Sequence, residues 1–224
     1  MQVTVRTSAG GRQPGLDSDL LKRVTFSYGA GMATGLRERW RVKARRTIQE
    51  RALDLFDERG FDAVTIEEIA AAAEVSPSSV YRYFGTKEGL LVADEFDTMS
   101  EEALAELFDP GDPVGTMTRI VRDYEAVPAD GEPAPWRRIR FFFKEPSVRT
   151  AFCASLDRAS QRIAPLMAGG RFTETQARVA ANALVFGYFS ALEQWYLDGG
   201  VRSVAEYVEE GLAPLRPIWS VGDQ

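Results

Sequence analysis

TIEEIAAAAEVSPSSVYRYFGTKEGLL, residues 65–91, contains the start and end signals of short helices in quick succession. Thr65 and Glu68 form a capping box, in which the threonine hydroxyl accepts from an early amide and the glutamate reaches back to the cap. Ser76 is a favoured cap residue, and the proline after it suits the first position of a second helix. Gly85 ends that helix after about two turns. The turn between these two helices must therefore be very short.

An amphipathic helix precedes this stretch. Apolar residues three to four positions apart lie on one face of a helix, and here they are Ile48, Ala52, Leu55 and Phe56. Gly60 follows them, as a glycine that ends a helix in the left-handed conformation does. Three helices within about 40 residues, with a short turn between the second and third, predict a helix-turn-helix.

The third helix of this unit has a polar outer surface. Val80 and Phe84 lie four residues apart and can face a core. The remaining side chains are Ser78, Ser79, Tyr81, Arg82 and Tyr83. Short hydroxyl side chains let a helix approach DNA closely, and tyrosine and arginine reach phosphates. An ordinary helical hairpin with a polar surface would show the same pattern, so these residues alone leave both interpretations open.

Composition argues against several other classes of protein. The 224 residues contain no histidine, which removes histidine-based triads and the commonest metal ligand. The single Cys153 can form neither an internal disulfide nor a Cys/His metal site, and it favours a reducing cytoplasm. The sequence has no phosphate loop and no nucleophile motif. We therefore expect no catalytic residues, no metal and no cofactor. No apolar run approaches the roughly 18 to 20 residues of a membrane-spanning helix.

The net charge of −6 is unevenly distributed. Residues 1–96 carry 14 basic and 14 acidic residues, whereas residues 97–224 carry 13 basic and 19 acidic residues. The segment Arg37–Arg46 contains six basic residues and one acidic residue. A basic cluster beside a helix is typical of an electrostatic contact with nucleic acid, although a solvated helix start would have the same composition.

Three regions are predicted along the chain. Residues 1–36 show no sustained periodicity and are expected to form a disordered extension, with Met32 as an alternative start. Residues 37–91 form the helix-turn-helix domain. Residues 92–224 keep a helical pattern that turn residues divide into about five further helices, and no strand alternation competes with it. The predicted fold class is all-α, with a second helical domain behind the helix-turn-helix.

The segment Arg46–Leu91 resembles the DNA-binding domain of TetR/AcrR-type transcriptional regulators. The similarity lies in ALDLFDERGF at residues 52–61, TIEEIA at 65–70, VSPSSVYRYF at 75–84 and KEGLL at 87–91. The resemblance implies a regulator that binds a palindromic DNA operator as a homodimer and is released by a small-molecule effector. A repressor is the expected sense, although an activator would have the same fold.

The resemblance also implies which residues contact DNA. The matching positions are Arg45, Arg46, Thr65, Ser78, Ser79, Tyr81, Arg82, Tyr83 and Lys87. Thr65 is expected where the second helix meets the DNA backbone, and the two serines at base edges or nearby phosphates. The tyrosines and Lys87 are expected to hold the backbone, and the two neighbouring arginines to touch flanking phosphates. Arg82 either reaches a base or turns to the next helix.

Two late segments are apolar enough to pack against a partner. Ala177–Leu197 is apolar on several sides, and Ser203–Leu215 has an apolar face at helical spacing. The resemblance implies that they form the dimer interface. The residues expected there are Ala183, Leu184, Gly187, Tyr188, Ala191, Val204, Val208 and Leu212. The sequence itself indicates only extensive burial, which packing within one subunit would also explain.

Large apolar side chains of the second domain are candidates for lining an effector pocket. They are Met117, Tyr124, Phe142, Phe152, Met167 and Trp195, and each would serve equally well in an ordinary core. The segments Gly35–Arg46 and Asp94–Asp97 resemble a subgroup whose effectors include acyl-CoA thioesters. An acyl-CoA or another apolar molecule is therefore the expected effector.

Two other interpretations compete with a ligand-responsive regulator. A helical sensor or interaction protein would keep this fold without binding DNA, and the presence of Tyr81, Tyr83 and Lys87 argues against that loss. An enzyme would need a catalytic set of side chains that the sequence does not supply.

Overall fold

The computed structural model describes residues 36–94, 96–126, 135–168 and 172–220. Within these ranges the chain is helical and forms no strand, apart from one isolated bridge between Ala168 and Phe172. The all-α prediction is therefore confirmed. The predicted extension at residues 1–36 lies, except for its last residue, outside the described residues. The chain divides into the units Met1–Arg39 and Trp40–Gln224, and the packing below belongs to the second unit.

The first four helices of the described residues carry the predicted capping signals. They are α1 (Leu36–Arg59), α2 (Ile66–Ala72), α3 (Pro77–Phe84) and α4 (Gly89–Val92). The Glu68 amide donates to Thr65 Oγ1 at 3.2 Å and the Thr65 amide donates to Glu68 Oε2 at 2.8 Å, so the capping box is complete. Ser76 caps α3, and Gly60 and Gly85 have positive φ angles of 84° and 73°. These helix ends follow directly from local hydrogen bonding.

The helix-turn-helix packs around a small apolar core. Ile48 and Phe56 of α1, Ile69 of α2 and Val80 of α3 are fully buried. The turn between α2 and α3 is four residues long and places Glu74 in the left-handed region, at φ 56°. Residues other than glycine rarely adopt this conformation. The packing of α2 against α3 therefore holds the tight turn in place.

The described residues after position 96 form seven further helices around a second apolar core. They are α5 (Glu101–Leu107), α6 (Pro113–Ala126), α7 (Ile139–Lys144), α8 (Pro146–Met167), α9 (Glu174–Leu197), α10 (Val204–Leu212) and α11 (Arg216–Ser220). The sequence predicted about five, because α7 and α11 span less than two turns and are too short for periodicity to reveal. Helix α9 packs against α8 and α10, and α10 packs against α6.

Helices α9 and α10 approach each other closely. A Cβ added to Gly187 would lie 2.7 Å from Leu212 Cδ2, and one added to Gly211 would lie 3.2 Å from Ala191 Cβ. The Glu125 carboxylate of α6 accepts from the first two amides of α10, at 2.6 and 3.0 Å. Small residues and this carboxylate therefore fix the position of α10.

Two arginines connect the second domain to α1 and α4. Arg137 lies in the short 3₁₀ helix Pro135–Arg138 and forms ion pairs with Asp54 and Asp57 of α1. Its neighbour Arg138 donates to the Ala93 carbonyl at 2.9 Å, directly after α4. Within the described part of the chain, no helix combines the length and the apolar character needed to cross a membrane.

Candidate DNA-binding surface and internal cavity

The outer face of α3 presents polar and aromatic groups to solvent. Tyr81 is 50% exposed, and Ser78 and Arg82 are also exposed. Arg82 Nη2 lies 3.4 Å from Ser79 Oγ, and the Arg82 guanidinium lies over the Tyr83 ring at 5.1 Å. In this structure Arg82 therefore folds along its own helix and does not turn to the next one, and its contact with a base stays a prediction.

Lys87 turns inward toward the loop between α1 and α2. Its ammonium donates to the Phe61 carbonyl at 2.7 Å and to the Val64 carbonyl at 3.1 Å. It also lies 4.2 Å from the centre of the Phe61 ring. Lys87 is half-buried, so the residue expected to hold the DNA backbone also holds this loop in place.

The remaining predicted DNA contacts lie at separate points of α1 and α2. The Arg45 guanidinium lies 5.7 Å from the centre of the Phe84 ring, at the end of α3. Arg46 is exposed, with its Nε 3.3 Å from Glu50 Oε1 on the next turn of α1. Thr65 is exposed, and its hydroxyl serves the cap of α2. Arg45 and Arg82 thus each lie against an aromatic ring of α3. Arg46 and Thr65 have different partners, Glu50 and Glu68.

The Glu68 carboxylate in the cap of α2 is stabilised by two groups. The Thr65 amide, and after it the Arg59 guanidinium at 2.8 Å, lower the pKa of Glu68 below its usual value. Glu68 is therefore ionised at neutral pH, where its charge also suits the N-terminal end of the α2 dipole.

An internal cavity of about 180 Å³ lies in the second domain. Its wall is formed by the segment after α4, by α5 and α6, and by α7, α8 and α9. Four of the predicted pocket residues line it: Met117, Tyr124, Phe142 and Phe152. The wall is mostly apolar, so the cavity suits an apolar molecule better than a strongly hydrated one.

The two other predicted pocket residues lie elsewhere. Met167 is buried at the C-terminal end of α8. Trp195 lies near the end of α9 and donates from Nε1 to the Arg202 carbonyl at 3.0 Å, where it fixes the turn to α10. Both residues serve packing at helix ends, which is the alternative that the sequence left open for them.

Three charged residues line the cavity, and the sequence analysis named none of them as pocket residues. The Arg138 guanidinium donates to Asp94 Oδ2 at 2.8 Å as well as to the Ala93 carbonyl. Burial opposes the charge of Arg138, but the Asp94 carboxylate and the Tyr124 and Tyr188 phenols together outweigh burial and raise the pKa of Arg138. Asp97 Oδ1 accepts from Ser155 Oγ at 3.3 Å, and Asp97 Oδ2 accepts from the Asp94 amide at 3.3 Å. Asp94 and Asp97 lie in a segment that the sequence analysis named only for its resemblance to the acyl-CoA-responsive subgroup.

Tyr188, expected at the dimer interface, lines the cavity instead. Burial, and after it the negative charge of Asp94, raises the pKa of the Tyr188 phenol. The phenol is therefore neutral and adds a hydroxyl to an otherwise apolar wall.

The other residues expected at the dimer interface are used for packing within one chain. Leu184, Ala191, Val204, Val208 and Leu212 are buried, and Ala183 and Gly187 are half-buried. The five buried side chains have almost no exposed surface to offer a partner, whereas Ala183 and Gly187 keep some, and their place in a dimer interface stays a prediction. The exposed large apolar side chains of this region are Val179, Leu197, Val201 and Ile218.

Comparisons with known proteins agree on one family. The family model described as "Bacterial regulatory proteins, tetR family" matches residues 48–93. The HTH-type transcriptional regulator HbdR of Aromatoleum sp. (strain CIB) is 30% identical over 187 residues, which cover 76% of this chain and 78% of HbdR. The HTH-type transcriptional regulator TcmR of Streptomyces glaucescens is 26% identical over 200 residues, covering 82% of this chain and 87% of TcmR.

A solved structure shares the fold. Native NalD, the secondary repressor of the MexAB-OprM multidrug efflux pump in Pseudomonas aeruginosa, superposes with a TM-score of 0.51 at 19% sequence identity. The superposition covers 78% of this chain and 96% of NalD. Likeness at this identity concerns the arrangement of helices alone.

Proposed function

The chain belongs to the TetR family of bacterial regulatory proteins, and from this we propose that it is a cytoplasmic repressor that binds a palindromic operator as a homodimer and is released by a small-molecule effector. It is a DNA-binding transcriptional regulator, and its relatives are regulators and not enzymes. The observation that carries the proposal is Arg138, which lines the cavity and bonds to the carbonyl directly after α4.

Eight of the nine residues expected from the sequence are the proposed DNA contacts, and the ninth, Lys87, is proposed to hold the loop between α1 and α2 instead. Tyr81, Ser78 and Arg82 on α3 have the exposure that a major-groove contact needs. Arg45 and Arg46 add positive charge beside this helix, which attracts phosphates in a salt-dependent way. A two-fold dimer would place two copies of α3 in successive major grooves, about 34 to 36 Å apart, and would therefore select a palindrome.

The exposed face of α9 is the surface we propose for dimerisation. Val179, Phe186 and Leu197 are separated by seven and eleven residues, which returns each to the same side of a helix with 3.6 residues per turn. Val179 is 65% and Leu197 is 69% exposed, and Phe186 is half-buried. An apolar face of this kind is expected to be covered by another surface.

The effector we propose is a small apolar molecule and not an acyl-CoA. An acyl-CoA carries phosphates, which need cations or a concentration of N–H groups. Among the described residues that line the cavity, Arg138 is the sole cation, and Asp94 already neutralises it. An acyl-CoA could still place its acyl chain in the cavity, which makes it the alternative for a direct comparison of ligands.

Selection of binding sites from a pool of random DNA duplexes tests the DNA-binding half of this proposal. We expect one palindromic sequence to be enriched. In fluorescence-anisotropy titrations at fixed salt, Tyr81→Ala should weaken binding to this sequence about tenfold, the loss of one good phosphate hydrogen bond. Arg158→Ala, a change on the exposed surface of α8, is the matched control. Failure to enrich any sequence would favour a helical sensor that does not bind DNA.

Sedimentation equilibrium tests the homodimer. Wild type should sediment at twice the chain mass of 24.8 kDa. Replacement of both Val179 and Leu197 by glutamate should give monomers, because the new charges would be desolvated within an apolar interface and would lack partners. Ala154→Glu adds a charge at an exposed site of α8 and should leave the mass unchanged. A dimer that survives the double change would move the interface away from this face of α9.

A further inference from the structure

The charges that line the cavity do not balance. Asp94, Asp97 and Arg138 are the charged side chains among its described lining residues. Asp94 and Arg138 form an ion pair with a 2.8 Å contact, so they neutralise each other. Asp97 is solvent-exposed and adds one negative charge at the edge of the cavity, and no cation among the described lining residues pairs with it.

Nearby cations are engaged elsewhere. Arg162 donates to the carbonyls of Phe96 and Met99, on either side of Asp97, but its ion pair is with Glu101 at 2.9 Å. Within the described residues Asp97 itself has no ion-pair partner, and its two hydrogen bonds come from neutral groups, the Ser155 hydroxyl and the Asp94 amide.

Aromatic side chains line the same cavity as the Asp97 carboxylate. Six of them line the cavity: Phe96, Phe108, Tyr124, Phe142, Phe152 and Tyr188. Aromatic faces attract cations, and sites that bind quaternary ammonium groups combine several rings with an acidic residue or a carbonyl. Rings without a negative charge would favour a neutral ligand, and a negative charge without rings would favour a hydrated ion.

We propose that the effector of this regulator is a compact apolar monocation, a protonated amine or a quaternary ammonium on a small hydrocarbon body, held by the Asp97 carboxylate and the aromatic wall. This inference rests on the proposed function, which makes the cavity the effector site. An anionic ligand would be repelled by the Asp97 charge, and a neutral one would gain no attraction from it.

The volume of the cavity limits the size of the ligand. The cavity volume of about 180 Å³ is below the usual 300 to 1,000 Å³ of drug-sized pockets. One ring with a short chain is therefore the body that fits.

Three probes of one scaffold test the charge of the ligand on the full chain. They are phenylpropylamine, phenylpropanol and phenylpropanoate, which are cationic, neutral and anionic at neutral pH. In calorimetric titrations the amine should bind about tenfold more tightly than the alcohol, the gain expected of a partly desolvated charge contact. The carboxylate should bind most weakly. Because this series uses wild type, it does not depend on whether a variant folds.

A pair of isosteric variants tests the residue. Asp97→Asn should bring the dissociation constants of amine and alcohol to within about twofold of each other, since only the charge contact is removed. Asp157→Asn, an exposed residue of α8 outside the cavity, changes the net charge equally and should keep the preference for the amine. An alcohol that binds as well as the amine, a tighter carboxylate, or no binding of any probe would each overturn the proposal.

Titration of the same preparations with the selected operator separates the two proposals. A protein that binds its operator but shows no preference for the amine refutes the cationic effector and leaves the repressor intact. A protein that binds the amine through Asp97 but no DNA refutes the repressor and leaves the ligand assignment intact. When both hold, saturating amine should weaken operator binding by about fivefold or more.

Discussion

Replacement of Lys87 by methionine should lower the stability of the protein and should have little effect on its contacts with DNA. The ammonium donates to the carbonyls of Phe61 and Val64 and lies 4.2 Å from the centre of the Phe61 ring. Methionine keeps most of the apolar stem and removes all three interactions. The change therefore isolates the role of the charge.

The size of the effect follows from these contacts. A hydrogen bond to a charged group contributes about 1.5 to 3 kcal/mol when buried, and the partial exposure of Lys87 places each bond at or below the lower end. The cation–π contact adds about 0.5 to 1 kcal/mol, and the rotamer freedom regained by the side chain offsets up to about 2 kcal/mol. We expect a net loss of about 2 kcal/mol, which lowers Tm by about 4 to 8 °C in a chain of this size.

Urea unfolding and thermal melts measure this loss, with Lys144→Met on the exposed end of α7 as the matched control. The salt dependence of operator binding supplies the second measurement. Because the proposed homodimer carries the change in both subunits, loss of one phosphate contact per subunit would reduce the slope of log K against log salt by about 1.8. If Lys87 holds the loop, the slope should change by less than about half that amount. Unchanged stability together with a full loss of one contact would refute the structural role.

Three other changes test separate parts of the fold. The pKa of Glu68 is lowered by the Thr65 amide and Arg59, so its contribution to stability is present above its ordinary pKa and is lost as the pH falls through the lowered value. Melts of Glu68→Gln should therefore lie below wild type at neutral pH and converge with it in acid, and a gap that persists in acid would contradict this. Glu125→Gln should lower the free energy of unfolding in urea by about 1 to 2 kcal/mol, because one carboxylate oxygen that accepts from the start of α10 becomes an amide that donates. Equal stability would show that the cap is redundant. Gly187→Ala should lower the free energy of unfolding by about 1 kcal/mol. Overpacking against the buried Leu212 costs about 1 to 3 kcal/mol, which exceeds the roughly 1 kcal/mol gained in helix propensity. A more stable variant would show that the two helices can separate freely.

The helix ends of the DNA-binding domain were predictable because each depends on residues close together in sequence. Thr65 pairs with Glu68, and Ser76 Oγ accepts from the Ser79 amide, so both caps form within one turn of their own helices. The same local logic identifies Gly60 and Gly85. It does not identify Glu74, because nothing in a glutamate indicates a left-handed φ. That conformation is set by the packing of α2 against α3.

The cavity and the helix faces were predictable only in part, because they depend on contacts between distant segments. Met117 and Phe142 have the same residue character as Met167 and Trp195, yet only the first two line the cavity. Arg138 lies 45 positions from the carbonyl it contacts, and no spacing rule connects them. Helix α9 is apolar on more than one side, so its sequence does not specify which side meets α10 and which stays exposed.

The hydrogen bonds around Ala93 suggest how an effector in the cavity would reach the DNA-binding helices. The Ala93 carbonyl accepts from Arg138 at 2.9 Å and from Gln49 Nε2 of α1 at 3.4 Å, and Gln49 also donates to the Leu90 carbonyl at 3.2 Å. One short segment thus joins the cavity wall to the helix that carries Arg45. Allosteric coupling typically amounts to about 1 to 3 kcal/mol, which is the contribution of one or two charged hydrogen bonds. An effector that binds better to a state in which the bond between Arg138 and Ala93 is broken would therefore favour that state by enough free energy to change operator affinity, without a large rearrangement of either core.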